Sequence, residues 1–446
     1  MTDSASGRGR ISPNVRTVPP VKIVRRRHRL QTGAGGKQKN DLHAAPPRDF
    51  RDGFFYAPPQ SRDMQIRALA PQKPLYIFDA ARLAENYRGF AAVCGGETAY
   101  AVKCNPHPAV LRTLSAAGAS AFDVASLAEI RAVRAANPQA KLYFMHPVKA
   151  PEAIAEAYTV WGVRAFVLDH IDELYKILRE TALAPDLELF VRMALPKNGA
   201  AALDFSSKFG ATPDEAAKLL EACRPVCRRL GLAFHTGTQN TDTGTYTRAV
   251  AAAADVIAKS GVPVDALDAG GGFPANYTGR VAAPAEIFAA LHTALAENGL
   301  DNLDLITEPG RVLVADTTAL IVRVEQRRGD LLYLNDGVYG GLFDAGPQLR
   351  WRYPVRHIPR EDGTPVSGHR TNFRFAGPTC DSIDMMDGPF PLPDNIKTGD
   401  WIEIGQAGAY SQSLRTDFNG FGTADFICAG SLPRKTKKPK TTSKNI

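Results

Sequence analysis

The sequence predicts a parallel (β/α)8 TIM-like barrel followed by a β domain. Two observations carry that prediction. From Pro74 to about Ala315, short apolar β-type runs alternate with alanine-rich segments of helical period. Beyond Ala315 the alternation stops, and short strands separated by Gly, Pro and Asp turns continue to Leu432. Eight or nine strand–helix units in about 240 residues suit a closed barrel. The expected division is a basic tail over 1–50, a lead-in strand to the β domain within 51–78, the barrel over 79–316, a β-sandwich or β-barrel domain over 317–432, and a second basic tail over 433–446.

In order, a strand over Leu75–Asp79 precedes a helix over Ala80–Cys94. The repeating pairs are Tyr100–Val102 with Ala109–Ala117, Phe122–Val124 with Leu127–Ala136, Leu142–Met145 with Ala150–Trp161, and Ala165–Leu168 with Ile171–Leu178. They continue as Leu187–Met193 with Pro213–Leu220, Leu232–His235 with Thr245–Lys259, and Ala266–Asp268 with Ala282–Glu297, before a last strand at Leu305–Thr307. The β domain is expected to hold strands at Ala319–Gln326, Leu331–Leu334, Asn372–Phe375 and Trp401–Ile404.

The net charge of +8 is unevenly placed. Residues 1–50 hold 11 Lys and Arg against 3 acids, and residues 434–446 hold 6 and none, which leaves −6 on residues 51–433. The run Arg25-Arg26-Arg27-His28-Arg29 reads as a solvated, disordered tail. No aromatics interleave with it to stack on bases, so nucleic acid is expected at most as a non-specific contact of the tails. Gly33-Ala34-Gly35-Gly36-Lys37 lacks the spacing and the Ser/Thr of a phosphate loop. No apolar run approaches the roughly 20 residues that cross a bilayer, and Met1–Arg10 has no signal-peptide core. Six sparse cysteines suit a reducing cytoplasm, and Cys223-x3-Cys227 has no second ligand pair, so no metal is expected.

A barrel gathers its chemistry at the C-terminal ends of its strands. The polar and glycine-rich residues fall there: Lys103, Asp123, His146, Arg192, His235, Gly270-Gly271-Gly272 and Glu308-Pro309-Gly310-Arg311. Lys103 follows an apolar strand and precedes Asn105, Pro106 and Pro108. A partly desolvated lysine there is expected to have a lowered pKa and to form an imine with an aldehyde. Three glycines free three backbone N–H groups for a phosphate. Arg311 could fork onto the same group. Glu308, an acid in a region suited to an anion, needs a cationic partner, and a protonated pyridine nitrogen would serve. His235 could stack on a flat ring, and Thr238 could donate to phosphate. Lysine, phosphate cup and acid together are what pyridoxal 5′-phosphate requires.

The matching runs are YAVKCN (100–105), FDVAS (122–126), HPVK (146–149), SSKFG (206–210), HTGTQ (235–239), GGGFP (270–274), EPGR (308–311), NDGVYG (335–340), GPTCDSID (377–384), GAY (408–410) and FNGF (418–421). With these the chain resembles the ornithine and diaminopimelate decarboxylase family, the barrel type of pyridoxal-phosphate enzyme. The resemblance spans about 75–425 and omits the tails. It implies an alanine-racemase-like β domain and the following roles. Lys103 is the Schiff-base lysine, His235 lies on the ring and Glu308 pairs with its nitrogen. Gly272, Arg311, Thr238 and Tyr410 hold the phosphate, Gly271 and Gly310 also bind the cofactor, and Asp123 and Arg192 are in support. Cys380 is the catalytic cysteine and Asp381 the substrate-amine acid; Tyr339 and Phe418 line the substrate. In the family Cys380 and Asp381 enter the neighbouring subunit's site, which implies a homodimer.

The family divides on the far end of the substrate: an ammonium wants carboxylates, a second amino-acid centre wants an arginine. Cys380-Asp381-Ser382 and HPVK resemble the ornithine enzymes. The expected activity is decarboxylation of L-ornithine to putrescine, a step of polyamine synthesis, with Asp344 the nearest candidate for a second amine-binding acid. Ornithine and lysine differ by one methylene, worth about 1–3 kcal/mol, so dual activity stays open. Arg415, if it lies near the site mouth, keeps diaminopimelate-like or carboxylated-diamine substrates open as well. A regulatory, non-catalytic homologue would be expected to lose Lys103, Cys380 or the phosphate cup, and all are present.

Overall fold

The structure, a computed structural model, describes residues 59–196, 208–277, 279–361 and 364–429. Both basic tails, the first residues of the lead-in, and Ser206 and Ser207 of SSKFG lie outside these. The described chain opens with helix α1 (Pro59–Leu69) and strand β1 (Leu75–Phe78), then α2 (Ala80–Cys94). Asp79 starts α2 by accepting the Arg82 N–H at 3.0 Å.

Eight strand–helix units follow: β2 (Glu97–Ala101) with α3 (Pro108–Ala117), β3 (Ala121–Val124) with α4 (Leu127–Ala136), β4 (Lys141–Phe144) with α5 (Pro151–Thr159), and β5 (Ala165–Leu168) with α6 (Ile171–Glu180). The rest are β6 (Glu188–Arg192) with α7 (Pro213–Cys223), β7 (Arg229–Ala233) with α8 (Gly244–Ser260), β8 (Ala266–Asp268) with α9 (Pro284–Glu297), and β9 (Asp304–Thr307) with the short α10 (Arg311–Val314). Strands β2–β9 are parallel and close into a barrel, with Thr98 beside Thr307 at the seam. Alternation along the strands sends Ala99, Ala121, Tyr143, Val167, Phe190 and Ile306 into one inner cluster. The polar residues that end the strands are therefore lifted above an apolar plug.

The β domain contains β10 (Thr318–Arg328), β11 (Leu331–Leu334), β12 (Val355–Ile358), β13 (Arg370–Ala376), β14 (Met385–Pro393), β15 (Trp401–Ile404) and β16 (Asp425–Cys428). Strand β1 belongs here: Leu75 pairs antiparallel with Ile321 and parallel with Asp425. The barrel is thus inserted between the first and second strands of the β domain. Strands β12, β14 and β16 and helix α1 were not expected from the sequence. Prolines at 389, 391 and 393 in β14 and the short, mixed run of β12 conceal the period-2 signal there. No helix among the described residues is long and apolar enough to cross a membrane.

The two domains meet at the barrel mouth. The Tyr410 N–H donates to the Cys104 carbonyl at 2.8 Å, and Asn105 Nδ2 donates to the Gly408 carbonyl at 2.8 Å. The turn that carries Lys103 is therefore pinned from above by the loop after β15.

Candidate active site

Lys103 sits in a tight turn, Val102–Cys104, directly after β2. Barrel pairing sets Ala101 beside Asp123 on β3, and Lys103 Nζ reaches Asp123 Oδ2 at 2.7 Å. The Lys103 side chain is 43% exposed to the open cleft while Asp123 is only 2% exposed. The expected lowering of the lysine pKa is not what this geometry produces. Enclosure lowers it, but Asp123 and Glu308 outweigh enclosure and the pKa is raised. The amine is an oriented cation held by Asp123.

His235, just past β7, is neutral. Its Nδ1 accepts the Gly237 N–H at 3.0 Å, which places the ring proton on Nε2. Burial and the neighbouring Arg192 and Lys103 push its pKa well below the ordinary histidine value. Glu308 closes β9, and its N–H donates to the Gly270 carbonyl at 2.7 Å. Burial beside Asp123 and Asp268 raises its pKa well above the usual carboxylate range.

The glycine turn is shaped by close backbone approach. A Cβ on Gly271 would lie 2.7 Å from the Glu308 carbonyl oxygen, and one on Gly272, whose φ is +94°, would lie 2.4 Å from the Gly237 carbonyl. Thr236 Oγ1 and the Tyr246 hydroxyl both donate to the Gly271 carbonyl, at 3.3 and 3.1 Å. Gln239 brackets Ala275 from both sides, accepting its N–H at 3.0 Å and donating to its carbonyl. Thr238 follows Gly237 in this loop and is half-buried. Sequence reasoning missed Thr236, Gln239 and Tyr246, and gave Asp268 no role. The one available signal was an acid two residues before a glycine run at a strand end.

Arg311 is buried in an aromatic cage, 4.2 Å from the centre of Trp351 and 4.7 Å from that of Tyr410. Its Nη1 donates to the Tyr277 hydroxyl at 2.7 Å and to Asp344 Oδ2 at 2.9 Å. Asp344, expected to receive the substrate's far amine, is thus placed against Arg311, 3% exposed, with its charge spent on the guanidinium. A Cβ on Gly310 would meet Cys104 Cβ at 2.9 Å, so the EPGR run packs directly on the lysine turn.

Cys380, Asp381, Tyr339 and Phe418 form a second group. The Tyr339 hydroxyl donates to Asp381 Oδ2 at 2.6 Å, the Cys380 N–H donates to Asn419 Oδ1 at 3.0 Å, and the Tyr339 and Phe418 ring centres are 4.7 Å apart. The Tyr339 hydrogen bond lowers the Asp381 pKa and keeps it charged. Cys380 is an exposed free thiol. Around this group Ile383, Leu414, Phe418 and Phe421 also face solvent, each at least 39% exposed.

Arg415 is not at the mouth. Its Nη2 donates to Asp336 Oδ2 at 2.5 Å and to the Tyr76 hydroxyl at 3.1 Å, and the pair is buried. That removes the feature that favoured a carboxylate-bearing substrate. Deleting one partner of a buried pair costs roughly 3–5 kcal/mol. Arg415→Ala is accordingly expected to lower the thermal midpoint by several degrees, read by calorimetry, while Asp336→Asn/Arg415→Met recovers part of it.

The group that this donor set suits is pyridoxal phosphate. Arg311 Nε is buried with no partner, Asp123 Oδ1 and Asp268 Oδ2 are buried acceptors without donors, and the Gly271–Gly272 turn approaches neighbouring backbone too closely to carry side chains. A lysine, a cradle for an anion and a buried acid on one barrel mouth define a pyridoxal-phosphate enzyme of the barrel type. Comparison with known proteins gives the particular family. Residues 81–315 match the pyridoxal-dependent decarboxylase family, in its pyridoxal-binding domain, and the chain belongs to that family. It is 34% identical over 346 residues to the chloroplastic ornithine decarboxylase of Nicotiana glutinosa, covering 74% of this chain and 77% of the relative. It is 29% identical to the lysine/ornithine decarboxylase of Selenomonas ruminantium, covering 82% and 92%. The crystal structure of the Vibrio vulnificus lysine/ornithine decarboxylase with putrescine superposes with a TM-score of 0.70 at 31% identity, covering 82% of this chain and 97% of that one.

Proposed function

We propose that the protein decarboxylates L-ornithine to putrescine, in a homodimer whose two sites are each completed by the other subunit. The observation that carries the substrate choice is Asp381. It is a carboxylate kept charged by the Tyr339 hydroxyl at 2.6 Å, and the Tyr339 ring in turn packs on Phe418, an arrangement that suits an ammonium end. The relatives named for ornithine support the same reading. The names of the Selenomonas and Vibrio proteins favour lysine as a second substrate.

Bound pyridoxal phosphate supplies an electron sink for the pair left at Cα when CO2 departs. Lys103 would hold the cofactor's aldehyde carbon, with its Nζ oriented by Asp123 at 2.7 Å. Glu308 would keep a proton at the ring nitrogen. Neutral His235 would lie against the ring without adding a competing charge. Gly271, Gly272, Gly310, Arg311, Thr238 and Tyr410 would hold the cofactor by its phosphate end, with Asp344 and the aromatic cage fixing Arg311. Cys380 of the partner subunit delivers the Sγ proton to Cα, and Asp381 of the partner subunit binds the side-chain ammonium. The exposed apolar side chains around Cys380 support a subunit contact at that face.

The test is a parallel assay of ornithine, lysine, arginine and meso-diaminopimelate with product identification. Putrescine from ornithine is expected, with cadaverine from lysine at a kcat/KM lower by about 10–200-fold or less, the worth of one methylene. Turnover of meso-diaminopimelate alone would overturn the substrate reading.

A further inference from the structure

Asn105 stands two residues after Lys103 and is buried, 2% exposed. All of its polar groups find partners around the lysine turn. Its N–H donates to the Val102 carbonyl at 3.1 Å and so closes the turn on Lys103, while its carbonyl accepts the Tyr100 hydroxyl at 3.1 Å. Its Oδ1 accepts the His107 N–H at 3.1 Å, and its Nδ2 donates to the Gly408 carbonyl at 2.8 Å.

Gly408 lies two residues before Tyr410, so this last bond joins the turn that bears Lys103 to the loop that bears Tyr410. The joint is tight. The Gly408 N–H donates to the Ala315 carbonyl at 3.0 Å, and a Cβ on Gly408 would overlap the Val314 carbonyl oxygen at the end of α10. Tyr410 has a φ of +61°, in the left-handed region that residues other than glycine seldom adopt. Its N–H is fixed to the Cys104 carbonyl at 2.8 Å, and Ser413 Oγ donates to the same carbonyl at 3.4 Å. The lysine turn thus helps to hold Tyr410 in a strained backbone conformation. The Tyr410 ring in turn covers Arg311, whose guanidinium carbon is 4.7 Å from the ring centre.

We propose that Asn105 is a positioning residue that holds the covalent anchor of the cofactor, Lys103, and its phosphate anchor, the Tyr410 loop, at a fixed separation. Pyridoxal phosphate carries its aldehyde and its phosphate arm on adjacent atoms of a rigid ring. When Lys103 binds it, a C=N bond forms at the aldehyde carbon and the aldehyde oxygen leaves as water, while the phosphate stays with Tyr410 and Arg311. Both attachments form together only where the lysine turn and the Tyr410 loop keep one spacing, and the Asn105–Gly408 bond sets it. Each anchor then raises the effective concentration of the other. This rests on the cofactor assignment above and deepens it by naming the residue that couples the two ends of the cofactor.

The test titrates three probes into the full-length, cofactor-stripped protein by calorimetry. Pyridoxal 5′-phosphate engages both anchors, pyridoxal lacks the phosphate, and pyridoxamine 5′-phosphate lacks the aldehyde. Asn105→Ala removes the side-chain tie altogether. Asn105→Ser keeps an oxygen that can accept the His107 N–H but is too short to reach Gly408. In both variants pyridoxal phosphate is expected to bind about 10-fold or more weakly, while each single-anchor probe changes by less than about 3-fold. A loss as large for either single-anchor probe, the mark of a merely structural role, would overturn the proposal, as would no loss for pyridoxal phosphate; both results leave the cofactor assignment standing. No binding of pyridoxal phosphate by wild type would overturn both. Should neither variant fold, amide hydrogen exchange of the wild type decides the matter. Pyridoxamine phosphate, which forms no bond to Lys103, is expected to slow exchange at the Asn105 amide as well as at the Tyr410 amide. Slowing at Tyr410 alone, or at neither, contradicts the tie.

Discussion

Lys103→Arg is expected to lose the visible absorbance of the bound cofactor and to lower kcat by at least about 10³-fold, the scale of removing a covalent catalytic group. The substitution is chosen to separate chemistry from folding. Arginine keeps the positive charge that Asp123 needs, and Asp123 is 2% exposed with one oxygen already lacking a donor. A guanidinium does not condense with the cofactor aldehyde, so the charge pairing survives and the covalent anchor does not. Lys103→Ala should show the same spectral loss, with an added fall in thermal midpoint from the unpaired Asp123. Retention of the visible band in both variants would mean that another amine holds the cofactor.

The second large effect belongs to the subunit contact. Cys380→Ala is expected to lower putrescine formation by about 10²–10⁴-fold, the usual worth of a positioned proton donor. Mixed with Lys103→Ala, which is itself inactive, it should regain activity. If each site takes Lys103 from one chain and Cys380 from the other, half of the randomly exchanged dimers carry one intact site. About one quarter of wild-type activity should then return, as two-fold symmetry requires. Mixed dimers that form by mass measurement yet show no recovery would place Cys380 in the same chain's site or outside catalysis. The two residue groups differ as this requires: the Lys103 group is roofed by the segment around Tyr410, whereas Cys380 and Phe418 are open to solvent.

The barrel was legible because each strand ends on a polar or glycine residue after a short apolar run. Lys103, Asp123, His235, Gly271, Gly272, Glu308 and Arg311 stand in such positions, and barrel closure brings them to one mouth. What stayed hidden depends on which acid faces which base. Asp344 pairs with Arg311, 33 residues away, and Arg415 with Asp336, 79 residues away. Neither spacing has a local signature, so both side chains were read as facing substrate. The raised pKa of Lys103 has the same origin, since Asp123 acts through the parallel pairing of β2 and β3 rather than through chain proximity.

The central claim is that Lys103, and not the buried Lys149, carries the cofactor. Lys149 is the competitor. It lies in the loop after β4 with its pKa lowered to about 8 by burial, but its amine is held by Glu173 at 2.9 Å and by the carbonyls of His146 and Val167 at 2.9 and 2.6 Å. Borohydride reduction of the cofactor-loaded protein, followed by peptide mass mapping, makes the lysine–cofactor bond permanent and locates it. A phosphopyridoxyl mass on the peptide containing Lys103, near one per chain, is the expected result. The same mass on the Lys149 peptide, or on none, would contradict it.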